Sequence, residues 1–330
     1  MSERADLPVG VIGVGSLGFH HARILRDVAG ARLVGIYDAS PARAATVSVE
    51  LGVRAYDDLD ALLSDIEAAV VAVPTTKHAE VAIRALQRGV HLLIEKPLAA
   101  TLAEADLILA AAETAGVLVA TGHVERFNSG LRSCEPYLDE PRFIESHRLA
   151  SFGVRGTDVA VVLDLMIHDI DLVLGLARRP VAFVDAVGVP VLTPNVDIAN
   201  ARLRFEGGAV ANITASRVSR ERMRKVRFFQ RSGYISLDLG TGTGEFLRLR
   251  KGVSLGALMA DPVGLEAIVE RVELQGDGQE PLRAELESFV AAVRREGELV
   301  VSGQDGRNAL AVALQIVRSI EENGAPASGT

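Results

Sequence analysis

Residues 8–21 read PVGVIGVGSLGFHH, and this stretch decides how the first third of the chain folds. An uninterrupted apolar run ends at three glycines, Gly13, Gly15 and Gly18, spaced G-x-G-x-x-G, and a helix-like segment follows from Ser16. In a strand–turn–helix setting each glycine has its own reason. The first permits a tight turn, the second lets a pyrophosphate approach the backbone, and the third lets helix and strand pack closely. The first helical turn, with Ser16 and Leu17, then offers unpaired N–H groups to an anion.

Asp38 closes the next apolar run, RLVGIYD, 20 residues after Gly18. An acid there accepts hydrogen bonds from an adenosine ribose and repels a 2′-phosphate, which points to NAD rather than NADP. Arg43 lies close enough in sequence to blunt that preference.

Outward from this loop the pattern repeats. Helices are expected over Ser16–Val28, Pro41–Leu51 with Ser40 as N-cap, Leu59–Leu63, Lys77–Arg88, and up to Ala115 behind a Thr101 cap. Between them lie the short strands AAVVAVP, HLLIEKP and VLVAT. Such alternation implies βαβ units and a doubly wound parallel sheet of the Rossmann type. In such sheets the carboxyl ends of strands face the ligand crevice. Two strand ends therefore stand out. Pro74, Thr75 and His78 could line a cofactor cleft, with Thr75 or Thr76 capping the next helix. Glu95-Lys96-Pro97 places an ammonium where a reacting oxygen could be met. A surface lysine paired with Glu95 explains Lys96 equally well at this point.

The 330 residues suggest two domains, and 48% apolar residues are enough for large cores. A net charge of −8 argues against nucleic acid as a partner. Basic residues cluster only over Arg217–Arg231, either as solvated strand and loop positions or as a pocket for an anionic substrate. The single cysteine, Cys134, cannot form an internal disulfide or a Cys-rich zinc site. No signal peptide and no membrane span is recognisable, so a cytoplasmic location is expected.

After about Gly122 the rhythm changes. ERFNSGLRSCEPYL reads as helical, RFIESHRLASF as a strand, and Asp158–Ala177 as a helix. Then come AFVDAVGV, IANARLRFE, GAVANITASRV, KVRFFQ, YISLDL, EFLRLR and EAIVERVEL, strand-like runs separated by turn signals. This second part is expected to be α+β, with a large, mostly antiparallel open sheet. Helices near Leu282–Arg295 and Gly306–Glu322 close it, and 323–330 reads as a disordered tail. The helical run VVLDLMIHDIDLVLGL carries Asp164, His168 and Asp171 at i, i+4 and i+7, which share one face of an α-helix. A carboxylate that takes one imidazole proton fixes the tautomer and raises the basicity of the other nitrogen. Removing a proton from an alcohol, holding a metal with further ligands, and anchoring the helix in a buried network all remain open. Asp169 points elsewhere, toward an interface or a backbone contact.

Taken together, VIGVGSLGFHH, VPTTKH, EKP, the D-x-x-x-H-x-x-D helix and EPLRAELESFVAAVRRE…VSGQDGRNALAVALQI resemble the Gfo/Idh/MocA family of nicotinamide-dependent sugar and polyol oxidoreductases. GHVERFNSG, TDVAVVLDLMIHDIDLVL and ASRVSRERMRKVRFFQ look like its subgroup acting on UDP-N-acetylglucosamine. The resemblance implies an NAD-binding domain over 1–122, which includes Glu95, and a substrate and oligomerisation domain over 123–322. It implies catalytic roles for Lys96, His168 and Asp164. Arg126, Asn128, His168 and Arg217 would contact substrate, and no metal would be needed. The C-terminal sheet would make a homodimer or homotetramer. Oxidation of a nucleotide sugar at the 3-hydroxyl, for lipid A or another glycan, is the implied activity. Oxidation of a free polyol such as an inositol, or a catalytically silent NAD sensor, would be the alternatives.

Overall fold

The structure is a computed structural model that describes residues 5–153, 156–157, 159–250 and 268–324. Asp158, expected to open a helix, residues 266–267 of an expected strand, and the tail from 325 onward lie outside the described residues.

The chain forms two compact units, Met1–Phe127 with Glu280–Ala311, and Asn128–Gln279 with Val312–Thr330. A single boundary near residue 122 does not describe this division, because the chain returns to the first unit. The reason is α8 (Pro281–Val293), whose Leu286, Phe289 and Val290 join the core around Val9, Val11 and Leu25.

In the first unit, β1 (Leu7–Ile12), α1 (Ser16–Leu25), β2 (Ala31–Tyr37), α2 (Pro41–Leu51) and α3 (Leu59–Ser64) come first. They are followed by β3 (Ala68–Val71), α4 (His78–Leu86), β4 (His91–Glu95), α5 (Leu102–Ala115) and β5 (Val119–Gly122). The strands make one parallel sheet in the order β2-β1-β3-β4-β5. A lone parallel bridge from Ile36 to Ala55 continues it beyond β2. The run from the bridge to β5 thus has the doubly wound 3-2-1-4-5-6 arrangement, with its third strand reduced to one residue pair. The chain reverses direction across the sheet between β1 and β3, so the glycine loop and the Pro74 turn both leave the switch point. α5 has the expected Thr101 cap, completed by Glu104 into a capping box, and ends at Gly116 in the left-handed conformation. Ser40 caps α2 as expected. Neither threonine at 75 or 76 caps a helix: the turn Thr75–Lys77 and α4 both begin without a side-chain cap.

The second unit is built on an eight-stranded sheet in the order β13-β12-β11-β10-β6-β9-β8-β7. Its strands are β6 (Phe143–Leu149), β7 (Val181–Val189), β8 (Ile198–Phe205), β9 (Val210–Ser216), β10 (Met223–Gln230), β11 (Gly233–Asp238), β12 (Thr243–Leu249) and β13 (Val269–Gln275). All neighbours are antiparallel except β6 and β9. Strand period 2 puts Ile144, Ala201, Leu203, Ala211, Ile213, Val226 and Phe228 on one buried face. The stretch expected to be one helix after Gly122 is broken into a 3₁₀ turn (Val124–Phe127), α6 (Ser129–Cys134) and a second 3₁₀ turn (Glu135–Tyr137). Asn128 starts a new helix by capping it, and Pro136 has no N–H with which to continue it.

The acid-bearing helix is also not uniform. It opens as a π-helical turn, Val162–Met166, and continues as α7 (Ile167–Ala177), which packs on β6 and β9. Wider turns of this kind recur at functional sites. The last helix, α9 (Gly303–Gly324), runs through residues 323 and 324, which were expected in the tail. Asn323 is held there by a hydrogen bond from Nδ2 to Ala186 O, 2.9 Å.

Candidate active site

The glycine loop separates its three glycines by cause. Gly13 has φ +85°, and a Cβ there would lie 2.8 Å from the Ala72 backbone. A Cβ on Gly18 would run into Gly13 O. Both are dictated by the fold itself. Gly15 is different: it is exposed and a Cβ would meet nothing within 4 Å, although its φ −62°, ψ −146° pair lies outside the regions most side chains adopt. The requirement there comes from what approaches from outside, and the cradle beside the first turn of α1 is open for a pyrophosphate. Ser16 is exposed and Leu17 half-buried in that turn.

Asp38 stands beside the loop. Its Oδ2 accepts from Val14 N–H at 2.8 Å and its Oδ1 from Ser40 N–H at 2.8 Å. Arg43 does not oppose it as a phosphate receptor. Its Nε donates to Val14 O at 2.7 Å and Nη2 to Gly15 O at 3.2 Å, so the guanidinium braces the loop. These residues fit NAD, with the acid at the carboxyl end of β2 beside the glycine loop.

At the other strand ends, the Lys96–Pro97 peptide is cis. His78 and Glu95, expected to touch cofactor, both have protein partners. His78 is buried, with Nδ1 3.0 Å from Pro97 O and Nε2 3.0 Å from Val73 O, so it ties the ends of β3 and β4 together. Burial pushes its pKa down, although the carbonyl contacts oppose this. Glu95 is buried, takes a hydrogen bond from His21 Nε2 at 2.8 Å, and accepts Lys96 N–H at 3.1 Å. Burial opposes its charge, yet the His21 hydrogen bond and the charge of Lys96 outweigh it and hold the carboxyl below its usual range. Pro74 is exposed, Thr75 half-buried, and Arg126 half-buried in the 3₁₀ turn before residue 128.

In the second unit the four acid and imidazole positions divide into two kinds. Asp164 and His168 are half-buried, whereas Asp169 and Asp171 are buried. Gly156, at φ +75°, brings the backbone so close to the Asp164 carboxylate that a side chain there would collide with it. Asp169 is neither an interface nor a backbone contact. It forms a buried pair with Arg148 Nε of β6, 2.5 Å, and accepts from Ser146 Oγ at 2.7 Å.

Two residues expected to contact substrate are engaged by protein partners here. Asn128 is buried: its Oδ1 caps α6 through Gly130 N–H at 3.0 Å, and its Nδ2 donates to Leu239 O at 2.9 Å. Arg217 is buried as well, donating to Gly156 O and, at 2.8 Å, to Val159 O, with Asp197 Oδ1 3.8 Å from its Nε. Burial opposes the Asp197 charge, but three backbone N–H groups at 191–193 and the Thr193 hydroxyl lower its pKa to about 2. Arg217 therefore clamps the turn next to Asp164 and does not face outward. Beyond it, Arg220, Arg222, Arg224 and Arg231 are exposed, and Arg227 lies 3.5 Å from Glu145.

The residues missed from sequence are His21, Arg148, Asp197 and the bracing role of Arg43. Two left a signal. His21 lies on the buried stripe Gly18, His21, Ala22, Leu25 of α1, and Arg148 on the inward period of β6, where a polar residue needs a partner.

The comparisons agree with this geometry. A family model described as an oxidoreductase family with an NAD-binding Rossmann fold matches residues 7–123, and the GFO/IDH/MocA C-terminal domain matches 138–236. The UDP-N-acetylglucosamine 3-dehydrogenase of Acidithiobacillus ferrooxidans is 37% identical over 94% of this chain and 96% of its own. A solved structure of that enzyme superposes with a TM-score of 0.88 at 35% identity, covering 97% of this chain and 99% of the other. The myo-inositol 2-dehydrogenase of Thermotoga maritima is 27% identical over 95% of this chain and 96% of its own. With NAD as the cofactor its glycine loop fits and dehydrogenation of a CH–OH group as its chemistry, the chain belongs to the GFO/IDH/MocA oxidoreductase family.

Proposed function

We propose that the protein oxidises the 3-hydroxyl of UDP-N-acetylglucosamine to the 3-keto sugar. The observation that carries this reading is the near full-length similarity to the Acidithiobacillus ferrooxidans enzyme, far above that to the inositol dehydrogenases. Of the basic run, Arg217 and Arg227 add no support, since Arg217 is internal and Arg227 is paired with Glu145.

NAD, when bound, supplies the hydride acceptor. The chain's own residues then have distinct tasks in this reading. Gly15 and the first turn of α1 receive the pyrophosphate, and Asp38 takes the ribose. Lys96 donates a hydrogen bond to the reacting oxygen as negative charge grows on it, where such a donor counts most. His168 accepts the hydroxyl proton, and Asp164 orients it. The N-terminal part of the chain serves the cofactor and the C-terminal part the sugar.

The ketone would feed an amino-sugar route to lipid A or another glycan, in the cytoplasm. A homodimer or homotetramer through the eight-stranded sheet fits the exposed apolar side chains of β7, Phe183, Val187 and Val189. Among the described residues no helix is long and apolar enough to cross a membrane.

The test is NADH formation with UDP-N-acetylglucosamine against myo- and scyllo-inositol. The nucleotide sugar should be oxidised with the higher kcat/KM. Lys96→Met and His168→Gln should each lower kcat on the order of 10²- to 10⁴-fold. Preference for an inositol, or near-normal rates in both variants, would overturn the reading.

A further inference from the structure

His21 is fully buried on α1, and the reaction as described gives it no task. Its place is specific. Nε2 meets Glu95 Oε1 at 2.8 Å, and because a carboxylate only accepts, Nε2 carries the proton of this bond. The second oxygen of Glu95 accepts the backbone N–H of Lys96 at 3.1 Å. At the same turn the His78 ring stands 3.0 Å from Pro97 O. The end of β5 leaves room for the carboxylate: a Cβ on Gly122 would lie 3.3 Å from Glu95 Oε2.

Stability alone does not account for this arrangement. Burying a carboxylate is costly, and apolar residues of similar volume commonly stabilise a core as well as a buried polar pair does. The pair does something an apolar pair could not: it joins the helix whose first turn receives the pyrophosphate to the backbone that carries Lys96. We infer that His21 is a positioning residue for Lys96, acting through Glu95, so that the cofactor-binding helix and the lysine are held in one register. This rests on the role proposed above for Lys96.

The experiment compares His21→Leu, which removes the donor, with His21→Gln, whose amide can still reach Glu95. His21→Asn, too short to reach, serves if the leucine variant does not fold. Rates are measured on whichever substrate the wild type oxidises, so a wrong sugar and a wrong role for His21 give different results. His21→Leu or His21→Asn should lower kcat on the order of 10- to 100-fold, as misplacement of a catalytic group does. KM for the sugar and Kd for NAD should stay within about threefold. His21→Gln should recover most of kcat.

A second readout needs no turnover. The chain has only four lysines, Lys77, Lys96, Lys225 and Lys251, so ¹³C-dimethyl-lysine resonances can be assigned by single replacements. Without the His21 donor, burial pushes the Glu95 carboxyl up toward its neutral form, which no longer favours protonated Lys96, so the Lys96 resonance should titrate at lower pH in His21→Leu and as wild type in His21→Gln. Unchanged kcat in His21→Leu, equal loss in all three variants, or an unmoved Lys96 titration would overturn the inference.

Discussion

Two buried carboxylates, one in each unit, do different work. Glu95 in the parallel-sheet unit is bound to His21 and to the backbone of Lys96, one residue away. Asp169 in the eight-stranded unit is bound to Arg148 and Ser146 of β6, across the core from the exposed side of its helix. The first sits at the carboxyl end of a strand, where this fold presents its ligands. The second lies under a helix, on the inward face of a sheet. Burial and an ionic partner look alike in both, so what separates them is where the next residue along the chain leads.

The largest expected effect that tests this contrast is on stability. Asp169→Ala removes the buried carboxylate that Arg148 Nε meets at 2.5 Å and should destabilise the protein by about 3–5 kcal/mol. Replacing both partners, Arg148→Met with Asp169→Leu, should recover much of that loss. Glu95→Gln keeps one oxygen to accept Lys96 N–H and turns its amide N–H toward His21, whose neutral ring can present a bare Nε2, so it should cost less stability while lowering kcat. Denaturant unfolding of the three variants checks this. A double variant as unstable as Asp169→Ala would show that the pair is needed for more than its own neutralisation.

Next in size is an effect on cofactor affinity confined to the first unit. Gly15→Ala adds a methyl where the fold has open space, so the melting temperature should fall less than in Gly18→Val, by the cost of the φ −62°, ψ −146° backbone alone. The Kd for NAD should rise at least about tenfold, equivalent to about 1.4 kcal/mol. Gly18→Val, by contrast, must push against Gly13 O and should lower the melting temperature first. Calorimetric titration with NAD beside a thermal melt separates the two. Equal behaviour of both variants would mean that the loop tolerates no side chain for reasons of folding alone.

The first unit was legible because its logic is local. Each glycine, cap and strand end acts within a few residues or on the next βα unit, and the spacing of Gly13, Gly15, Gly18 and Asp38 carries geometry with it. The second unit is held by pairings far apart in sequence: β6 with β9 and β10, Arg148 with Asp169, Arg217 with Gly156 and Asp197. Nothing in a single sequence says that Arg217 turns inward while Arg220 and Arg222 face out. The π-helical turn at Val162–Met166 was equally hidden, because apolar spacing read as α-helix is also consistent with one wider turn. Asp164 and His168 nonetheless remain the half-buried polar members of the run.

The smallest effect bears on the seam between the two kinds of reading. Asn128 follows Arg126 in a segment that resembles a substrate-contacting motif, yet both ends of its amide are engaged within the second unit. If its task is to cap α6 and hold the loop at Leu239, Asn128→Ala should cost about 1 kcal/mol. Asn128→Asp keeps the capping oxygen but turns a second, charged oxygen toward Leu239 O in a buried site, so it should cost more than Asn128→Ala. Neither variant should change KM for the sugar. The check is a pair of unfolding curves with one set of initial rates. A raised KM with unchanged stability would return Asn128 to the substrate and would mean that the hydrogen bonds seen here give way when the sugar binds.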